Sequence, residues 1–338
     1  MTIGILTAGG DCPGLNAVIR AVGTRAAHSD AGPILGFRNG WQGLVEGDLL
    51  ELDREAVRGI LGRGGTILGT SRYDPFVHGS GIDEVRAGFE RHGLSALVVV
   101  GGDGTIRTAR LLDDAGLPII AVPKTIDNDI PATDVTFGFD TAVQIATDAV
   151  DRLTTTAEAH HRVMLVEVMG RTRGWIALHA GMASGADVIL IPEHPLPLPE
   201  AAEYISTRDR TGHHYSVVVV AEGYPSPMAR RLPVDDFGFE RLGGVAYAVA
   251  PVLEDLTGFE TRVTVLGHLQ RGGTPTAFDR VLATRLGVAA ADLALAGRHG
   301  LMVAVRGEDI VPVAMSEACI EPKGVPADLY DVARTMFG

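Results

Sequence analysis

The chain has 338 residues, of which 46% are hydrophobic and 21% charged, and its formal net charge is -13. This composition is typical of a water-soluble globular protein long enough for two lobes. The negative charge argues against nucleic acid or an anionic membrane as the main partner. No apolar run approaches the roughly 20 residues of a membrane helix. Its two cysteines, Cys12 and Cys319, exclude a disulfide framework, and we expect a cytoplasmic location without a signal peptide.

Short β-branched runs alternate with stretches of helical periodicity along the whole chain. Strands are predicted at 2–7, 34–37, 96–101, 118–123, 163–168, 187–191, 216–222 and 262–267. Helices are predicted from about Leu15 and at 81–93, 104–116 and 138–156. Apolar strands separated by helices are typical of a parallel sheet covered on both faces.

The pattern runs twice, which predicts an α/β fold of two Rossmann-like lobes with mainly parallel sheets and a cleft between them. We expect residues 1–138 to form the first lobe, joined by about 268–305. Residues 139–267 are expected to form the second, joined by 306–338. In open parallel sheets ligands bind beyond the carboxyl ends of the strands, and the polar clusters of this sequence lie there.

Two glycine-rich clusters are candidates for phosphate binding. The first, 8-AGGDCPGLNA-17, permits close backbone approach and leads into a helix whose N–H groups can bind phosphate, although an ordinary turn fits equally well. The second is 101-GGDGT-105. Its glycines offer a surface for phosphates and its Asp103 is a ligand for Mg²⁺, unless this aspartate only caps the helix.

Charged side chains follow three further strands. Asp127 and Asp129, in 123-PKTIDNDIP-131, are candidate proton acceptors, although an Asx-rich turn would explain DND alone. Arg171 follows a strand and a glycine, which is also the position of many solvated loop arginines. In 261-TRVTVLGHLQRGGTP-275, two arginines and His268 are a credible grip for a phosphate dianion, although a lone histidine is more often structural.

The motifs GGDGT, PKTIDNDIP, VEVMGR and LGHLQRGGTP, in this order and spacing, resemble the 6-phosphofructokinase family from Ile3 to about Gly300. The resemblance implies Mg²⁺-dependent phosphoryl transfer from ATP to the 1-hydroxyl of fructose 6-phosphate. It also implies a homodimer or homotetramer with shared active sites. The NAD-kinase and diacylglycerol-kinase group would explain GGDGT alone. A non-catalytic sensor of the same fold would be expected to lack Asp103, Asp127 or Arg171.

The resemblance also assigns roles to individual residues. It implies that Asp127 is the general base, that Asp129 supports it, and that Arg171 and Thr125 contact the transferring phosphoryl group. The donor site would comprise Gly10, Arg72, Tyr73, Gly102, Asp103, Gly104 and Thr105, with Asp103 as the metal ligand. The sugar phosphate would be bound by Thr125, Ile126, Asp127, Arg162, Met169, Gly170, Arg171, Glu222, Arg262, His268, Leu269, Gln270 and Arg271. Arg162 and Arg262 would come from a neighbouring subunit.

Two departures from the family pattern concern the donor and the chain length. Gly104 is typical of ATP-dependent members, whereas Lys124 is typical of pyrophosphate-dependent members, so the sequence resembles a mixed group. We expect Lys124 to be a flexible cation near solvent and Gly104 to decide the donor, which predicts ATP. The alternative is a pyrophosphate-dependent fructose 6-phosphate 1-phosphotransferase. The segment 223–261 is longer than in the short bacterial enzymes.

Overall fold

A computed structural model of the chain describes residues 1–29, 32–226 and 242–338. Its strands are β1 (Thr2–Thr7), β2 (Ile34–Phe37), β3 (Leu49–Glu51), β4 (Leu94–Gly101), β5 (Ile119–Pro123), β6 (Val163–Val168), β7 (Val188–Leu190), β8 (Ser216–Ala221), β9 (Thr261–Val265), β10 (Leu301–Arg306) and β11 (Asp309–Ala314). Its helices are α1 (Leu15–Ala26), α2 (Trp41–Glu46), α3 (Pro75–His78), α4 (Ile82–His92), α5 (Asp103–Asp114), α6 (Phe139–His160), α7 (Trp175–Ser184), α8 (Leu198–Arg210), α9 (Val245–Thr257), α10 (Ala277–Leu295) and α11 (Ala327–Arg334).

The chain forms two compact units that share its length discontinuously. The first comprises Met1–Ile126, Ile130–Asp140 and Arg271–Pro322. The second comprises Asp127–Asp129, Thr141–Gln270 and Lys323–Gly338. No helix among the described residues combines the length and apolarity needed to cross a bilayer.

The first unit contains a sheet with the order β11-β10-β5-β4-β1-β2-β3 over the described residues. Its inner pairs are parallel, whereas β2–β3 and β10–β11 are antiparallel. The run Ala96–Val100 of β4 is buried throughout, because helices cover both faces of a central parallel strand. The carboxyl ends of β1, β4 and β5 lie at the same edge of this sheet, since the three strands run parallel.

The second unit contains a parallel sheet with the order β7-β8-β6-β9, again over the described residues. Valines of β6 and β8 pack with α8 and α9 in one apolar core. Strands β7 and β9 are the edge strands, each with one hydrogen-bonded neighbour among the described strands. The carboxyl ends of β6, β8 and β9 therefore also share one edge.

Local sequence explains where individual helices begin and end. Helix α4 carries Asp83 and Glu84 in its first turn and Arg91 and His92 in its last turn. This arrangement complements the helix dipole. The helix ends at His92 and is capped by Gly93, which has a φ of 60° that favours glycine.

The predicted α/β fold with mainly parallel sheets is confirmed, and all eight predicted strands are present within one or two residues. The domain boundaries differ at the carboxyl-terminal end. Residues 306–322, which we assigned to the second lobe, lie in the first unit, because β11 pairs with β10 at the edge of the first sheet. Residues 227–241 of the long segment 223–261 lie outside the described residues.

Candidate active site

The loop after β1 meets two other loops of the first unit. Gly9 has a φ of 79°, and its N–H donates to the carbonyl oxygen of Ser71 at 3.3 Å. A Cβ placed on Gly9 would lie 3.6 Å from both Nζ of Lys124 and Oγ1 of Thr105. The structure therefore brings together the glycine loop after β1, the loop after β4 and the loop after β5, as expected for a site at the carboxyl ends of parallel strands.

Lys124 connects these loops. Its backbone N–H donates to the carbonyl oxygen of Gly101 at 2.9 Å, and its Nζ donates to the carbonyl oxygen of Gly10. The residue is only 4% exposed, so the expectation of a flexible cation near solvent was wrong. The physical reason is that Lys124 directly follows the buried strand β5 and lies beneath the loop that contains Gly10.

Arg271 lies in the first unit beside Gly10. A Cβ on Gly10 would lie 2.5 Å from Nη1 of Arg271, so glycine is required there for the guanidinium to approach the backbone. The Nε of Arg271 is buried and has no hydrogen-bond partner among the described residues. A buried donor on a cation beside a glycine loop is suited to an anion. The structure thus brings a residue predicted to bind the sugar phosphate together with one predicted to bind the donor.

Asp103 and Gly104 open helix α5. Asp103 lies in the first turn of the helix, where backbone N–H groups lack partners within the helix. Gly104 is exposed, and a Cβ there would meet nothing within 4 Å. No group of three or more histidine, cysteine or acidic residues in the described ranges is arranged to hold a metal. One carboxylate at a helix N-terminus, next in sequence to an exposed glycine, fits Mg²⁺, which is commonly held by one or two carboxylates, water and substrate phosphates.

Tyr73 and Arg72 follow the segment that contacts the glycine loop. The Tyr73 hydroxyl donates to Oε1 of Glu84 at 2.8 Å. Burial, together with the neighbouring Glu84 carboxylate, raises the pKa of Tyr73 to about 12. The Tyr73 hydroxyl therefore remains protonated and bound within the protein. Arg72 is exposed.

The segment Thr125–Asp129 leads from the first unit into the second, with the change between Ile126 and Asp127. The carbonyl oxygen of Thr125 accepts a hydrogen bond from Oγ1 of Thr136 at 2.8 Å. Asp127 is 5% exposed and Asp129 is 8% exposed. Asn128, between them, has a φ of 51°, a conformation that asparagine tolerates better than most residues.

The turn after β6 carries Arg171 in the second unit. Gly170 has a φ of 138° and Arg171 a φ of 52°, and the Arg171 N–H donates to Oε1 of Glu222 at 2.8 Å. The Met169 N–H donates to Oε1 of the fully buried Gln270 at 3.3 Å. Five predicted sugar-binding residues are therefore brought together at the carboxyl ends of β6, β8 and β9.

Arg162 and Arg262 lie elsewhere in the second unit. Arg162 precedes β6, whereas Arg171 follows it, and six residues of strand span about 20 Å. Arg262 pairs in register with Met164, near the start of β6. Both arginines form ion pairs with Glu260, at 2.6 Å for Nε of Arg162. The structure does not bring these two arginines together with Arg171 within one chain.

Two predicted residues lie on the surface of a 3₁₀ helix, Gly267–Arg271. His268 is exposed, and Leu269 is 70% exposed. Sequence reasoning missed Glu260, which holds both arginines, and Lys323, whose N–H donates to the carbonyl oxygen of Asp129 at 2.7 Å. Glu260 lies directly before the motif 261–275 and pairs with Arg262 within it, so its position next to two candidate arginines was an available signal. Lys323 lies outside every motif, and the sequence gave no signal for it.

Comparison with known proteins places these features in one family. The family model described as phosphofructokinase matches residues 2–294. ATP-dependent 6-phosphofructokinase 3 of Streptomyces coelicolor is 52% identical over 342 residues, covering 100% of both chains. Pyrophosphate–fructose 6-phosphate 1-phosphotransferase of Amycolatopsis methanolica is 51% identical with the same coverage. The crystal structure of Pichia pastoris phosphofructokinase matches with a TM-score of 0.83 and 33% identity, over 99% of this chain but 38% of the yeast chain. The chain belongs to the phosphofructokinase family.

Proposed function

We propose that this protein is an ATP-dependent 6-phosphofructokinase that converts fructose 6-phosphate to fructose 1,6-bisphosphate in glycolysis. The observation that carries the proposal is the convergence of the Gly10, Gly101 and Lys124 loops in the first unit, next in sequence to the buried Asp127. Relatives whose sequences are 51–52% identical to this chain include proteins with ATP-dependent and pyrophosphate-dependent names.

The donor residues are suited to a nucleotide phosphate chain. The first turn of α5 offers backbone N–H groups, and Lys124 and Arg271 supply positive charge at Gly10. Asp103 would hold Mg²⁺ together with donor phosphates. When bound, the metal neutralises charge on the phosphates during transfer.

The acceptor residues are suited to a sugar hydroxyl. Asp127 removes the proton from the 1-hydroxyl as the sugar oxygen bonds to the γ-phosphorus, and the bond to the β–γ bridging oxygen breaks to release ADP. Arg171 neutralises charge on the equatorial oxygens, and Thr125 contacts the same phosphoryl group. Asp129 supports the base. Met169, Gly170 and Glu222 hold the sugar.

Gly104 favours ATP over pyrophosphate as the donor. A side chain there would project away from the protein into open space, which ATP needs and pyrophosphate does not. Pyrophosphate-dependent activity stays the second candidate, because Lys124 is present and a pyrophosphate-dependent relative is 51% identical. The test is a coupled assay of kcat/KM with fructose 6-phosphate and each donor. We expect a higher value for ATP, and a pyrophosphate value equal to or above it would overturn the assignment.

The positions of Arg162 and Arg262 support a shared site in a homodimer or homotetramer. Within one chain these arginines lie at the opposite end of β6 from Arg171. A second copy of the chain would allow them to bind the sugar 6-phosphate, together with His268 and Arg271 of the first. We place the enzyme in the cytoplasm, where glycolytic substrates occur and where its two cysteines would stay reduced.

A further inference from the structure

The carboxyl-terminal segment of the chain contacts the loop that carries the two predicted catalytic aspartates. The Lys323 N–H donates to the carbonyl oxygen of Asp129 at 2.7 Å. The Nζ of Lys323 donates to Oδ1 of Asn128 at 3.3 Å. One residue therefore binds this loop through both its backbone and its side chain.

The same residue is bound on its other side by the beginning of α7. The indole Nε1 of Trp175 donates to the carbonyl oxygen of Lys323 at 3.0 Å, and Nζ lies 5.4 Å from the centroid of the Trp175 ring, in the range of a cation–π contact. Glu193 accepts from the N–H groups of Gly174 and Val325, each at 3.0 Å. Lys323 thus joins the aspartate loop to the helix that follows the Arg171 turn.

Lysine is rare in this protein, which makes its two positions informative. Among 29 basic residues there are only two lysines, Lys124 and Lys323. Lys124 is buried beneath the loop that contains Gly10, and Lys323 contacts the loop that contains Asp127 and Asp129. A lysine at 323 suits these contacts, because its compact ammonium donates to Oδ1 of Asn128 and also lies over the Trp175 ring.

The conformation of Asn128 decides where its neighbours point. Its φ of 51° lies in the left-handed region, which costs most residues with a side chain about 1–2 kcal/mol and asparagine less. A change of φ at this residue would reorient the carboxylates on both sides of it, Asp127 and Asp129. Since a displacement of 1 Å can cost a hundredfold in rate, a contact that holds Asn128 controls the geometry of the base.

We propose that Lys323 is a positioning residue, whose ammonium holds Asn128 in the left-handed conformation and thereby fixes the Asp127 carboxylate for catalysis. The proposal rests on the proposed function of Asp127 as the base. Besides the ammonium, two backbone hydrogen bonds of Lys323, with Asp129 and with Trp175, attach the carboxyl-terminal segment. Removing the ammonium leaves these two backbone hydrogen bonds in place.

The test compares Lys323→Met, which keeps the stem, with Lys323→Arg, which keeps a cation. Arg334→Met is the matched control, because Arg334 is a cation of the same segment and its Nη2 pairs with Oε1 of Glu200 at 2.6 Å. We expect kcat of Lys323→Met to fall roughly tenfold to a hundredfold, with KM for fructose 6-phosphate within threefold and the melting temperature close to that of the unmodified protein. Lys323→Arg should recover most of kcat, and Arg334→Met should leave it unchanged.

A double-mutant cycle with Asn128→Gly tests whether the effect passes through Asn128. Glycine adopts positive φ without cost, so adding Lys323→Met to Asn128→Gly should lower kcat less than threefold. A full loss in that background, or an unchanged kcat in Lys323→Met alone, would overturn the proposal. An equal loss in Arg334→Met would also overturn it, since a structural role of the segment would then suffice.

A measurement independent of turnover separates this proposal from the proposed function. Because the chain has two lysines, labelling with ¹³C-lysine gives Hε–Cε resonances from two residues. The resonance that disappears in Lys323→Arg belongs to Lys323. Asn128→Gly is expected to shift the Lys323 resonance, and an unmoved signal would reject the contact. If the unmodified protein transfers phosphate to fructose 6-phosphate from neither donor, the proposed function fails, whereas the resonance still decides whether Lys323 holds Asn128.

Discussion

The ammonium of Lys124 donates a hydrogen bond to the carbonyl oxygen of Gly10, a residue 114 positions earlier in the chain. The Arg271 guanidinium packs against the same residue, Gly10. Two cations therefore approach one glycine, and both Lys124 and the Nε of Arg271 are buried. Donor binding at this loop would meet preorganised positive charge, which is more effective than charge that must first be ordered.

Replacing Lys124 by methionine is expected to lower kcat/KM for ATP about tenfold to a hundredfold, because one preorganised positive charge at the proposed donor site is lost. The choice of ATP over pyrophosphate should not change, since Gly104 is unaltered. Steady-state kinetics with both donors measures this. A variant that prefers pyrophosphate, or that keeps the full ATP rate, would show that Lys124 has a different role.

The sequence predicted strands well and tertiary placement poorly. Buried strands such as β4 and β6 are continuous apolar runs, and such runs are visible locally. Strands β3, β10 and β11 were not predicted. Strand β3 is only three residues long, and β11 contains Pro312 and exposed residues, as an edge strand can. Strand β10 is a buried apolar run like β4, and it was overlooked in the sequence. The burial of Lys124 depends on Gly10, more than a hundred residues away, and no local pattern encodes such a contact.

The motifs of the candidate site could be predicted because they also follow from local sequence. Glycines and aspartates directly after apolar runs mark the carboxyl ends of strands, so Gly10 and Asp103 could be located in advance. Lys323 follows no strand and belongs to no motif, although it contacts the aspartate loop. Residues that position a catalytic loop from a distant segment are visible only in three dimensions.

Asp127→Ser is expected to reduce kcat about a hundredfold or more while KM for fructose 6-phosphate changes only a few-fold, because general-base catalysis is typically worth 10²–10⁴. Initial rates over a range of sugar concentrations separate the two parameters. Survival of kcat within tenfold would mean that another group accepts the proton.

Tyr73→Phe is expected to leave kcat and KM for ATP within twofold, because the Tyr73 hydroxyl is already bound to Glu84. The loss of that hydrogen bond should lower the free energy of unfolding by about 1 kcal/mol, which thermal or urea denaturation measures. Tyr73→Ala removes the ring as well and should raise KM for ATP. A large kinetic effect of the phenylalanine variant would show that the hydroxyl reaches the donor.

Mixing two inactive variants tests the shared site. In hybrids of Asp127→Ser with Arg162→Ala, one site of each dimer would carry both substitutions and the other neither, so random exchange should restore about a quarter of the sites. Hybrids of Asp127→Ser with Arg171→Ala serve as the control. Because both of these residues would act within their own subunit's site, no intact site forms and no activity should return. Equal behaviour of the two mixtures after proven subunit exchange would contradict a shared site.

Gly104→Asp is expected to abolish ATP-dependent activity without unfolding the protein. A Cβ at residue 104 would meet nothing within 4 Å, so the new side chain fits the fold. Its carboxylate would occupy the space that the α-phosphate of ATP requires and would repel that phosphate. Gly104→Ala is the matched variant. It adds a methyl group without charge and should raise the free energy of unfolding by up to about 1 kcal/mol, since alanine favours the helix more than glycine does. The kcat/KM for ATP should therefore decrease in the order glycine, alanine, aspartate while stability does not follow that order. Pyrophosphate activity need not appear in either variant. An aspartate variant that keeps more than a tenth of the ATP activity would show that the donor phosphates lie elsewhere, and Lys124 would then be the better guide to the donor.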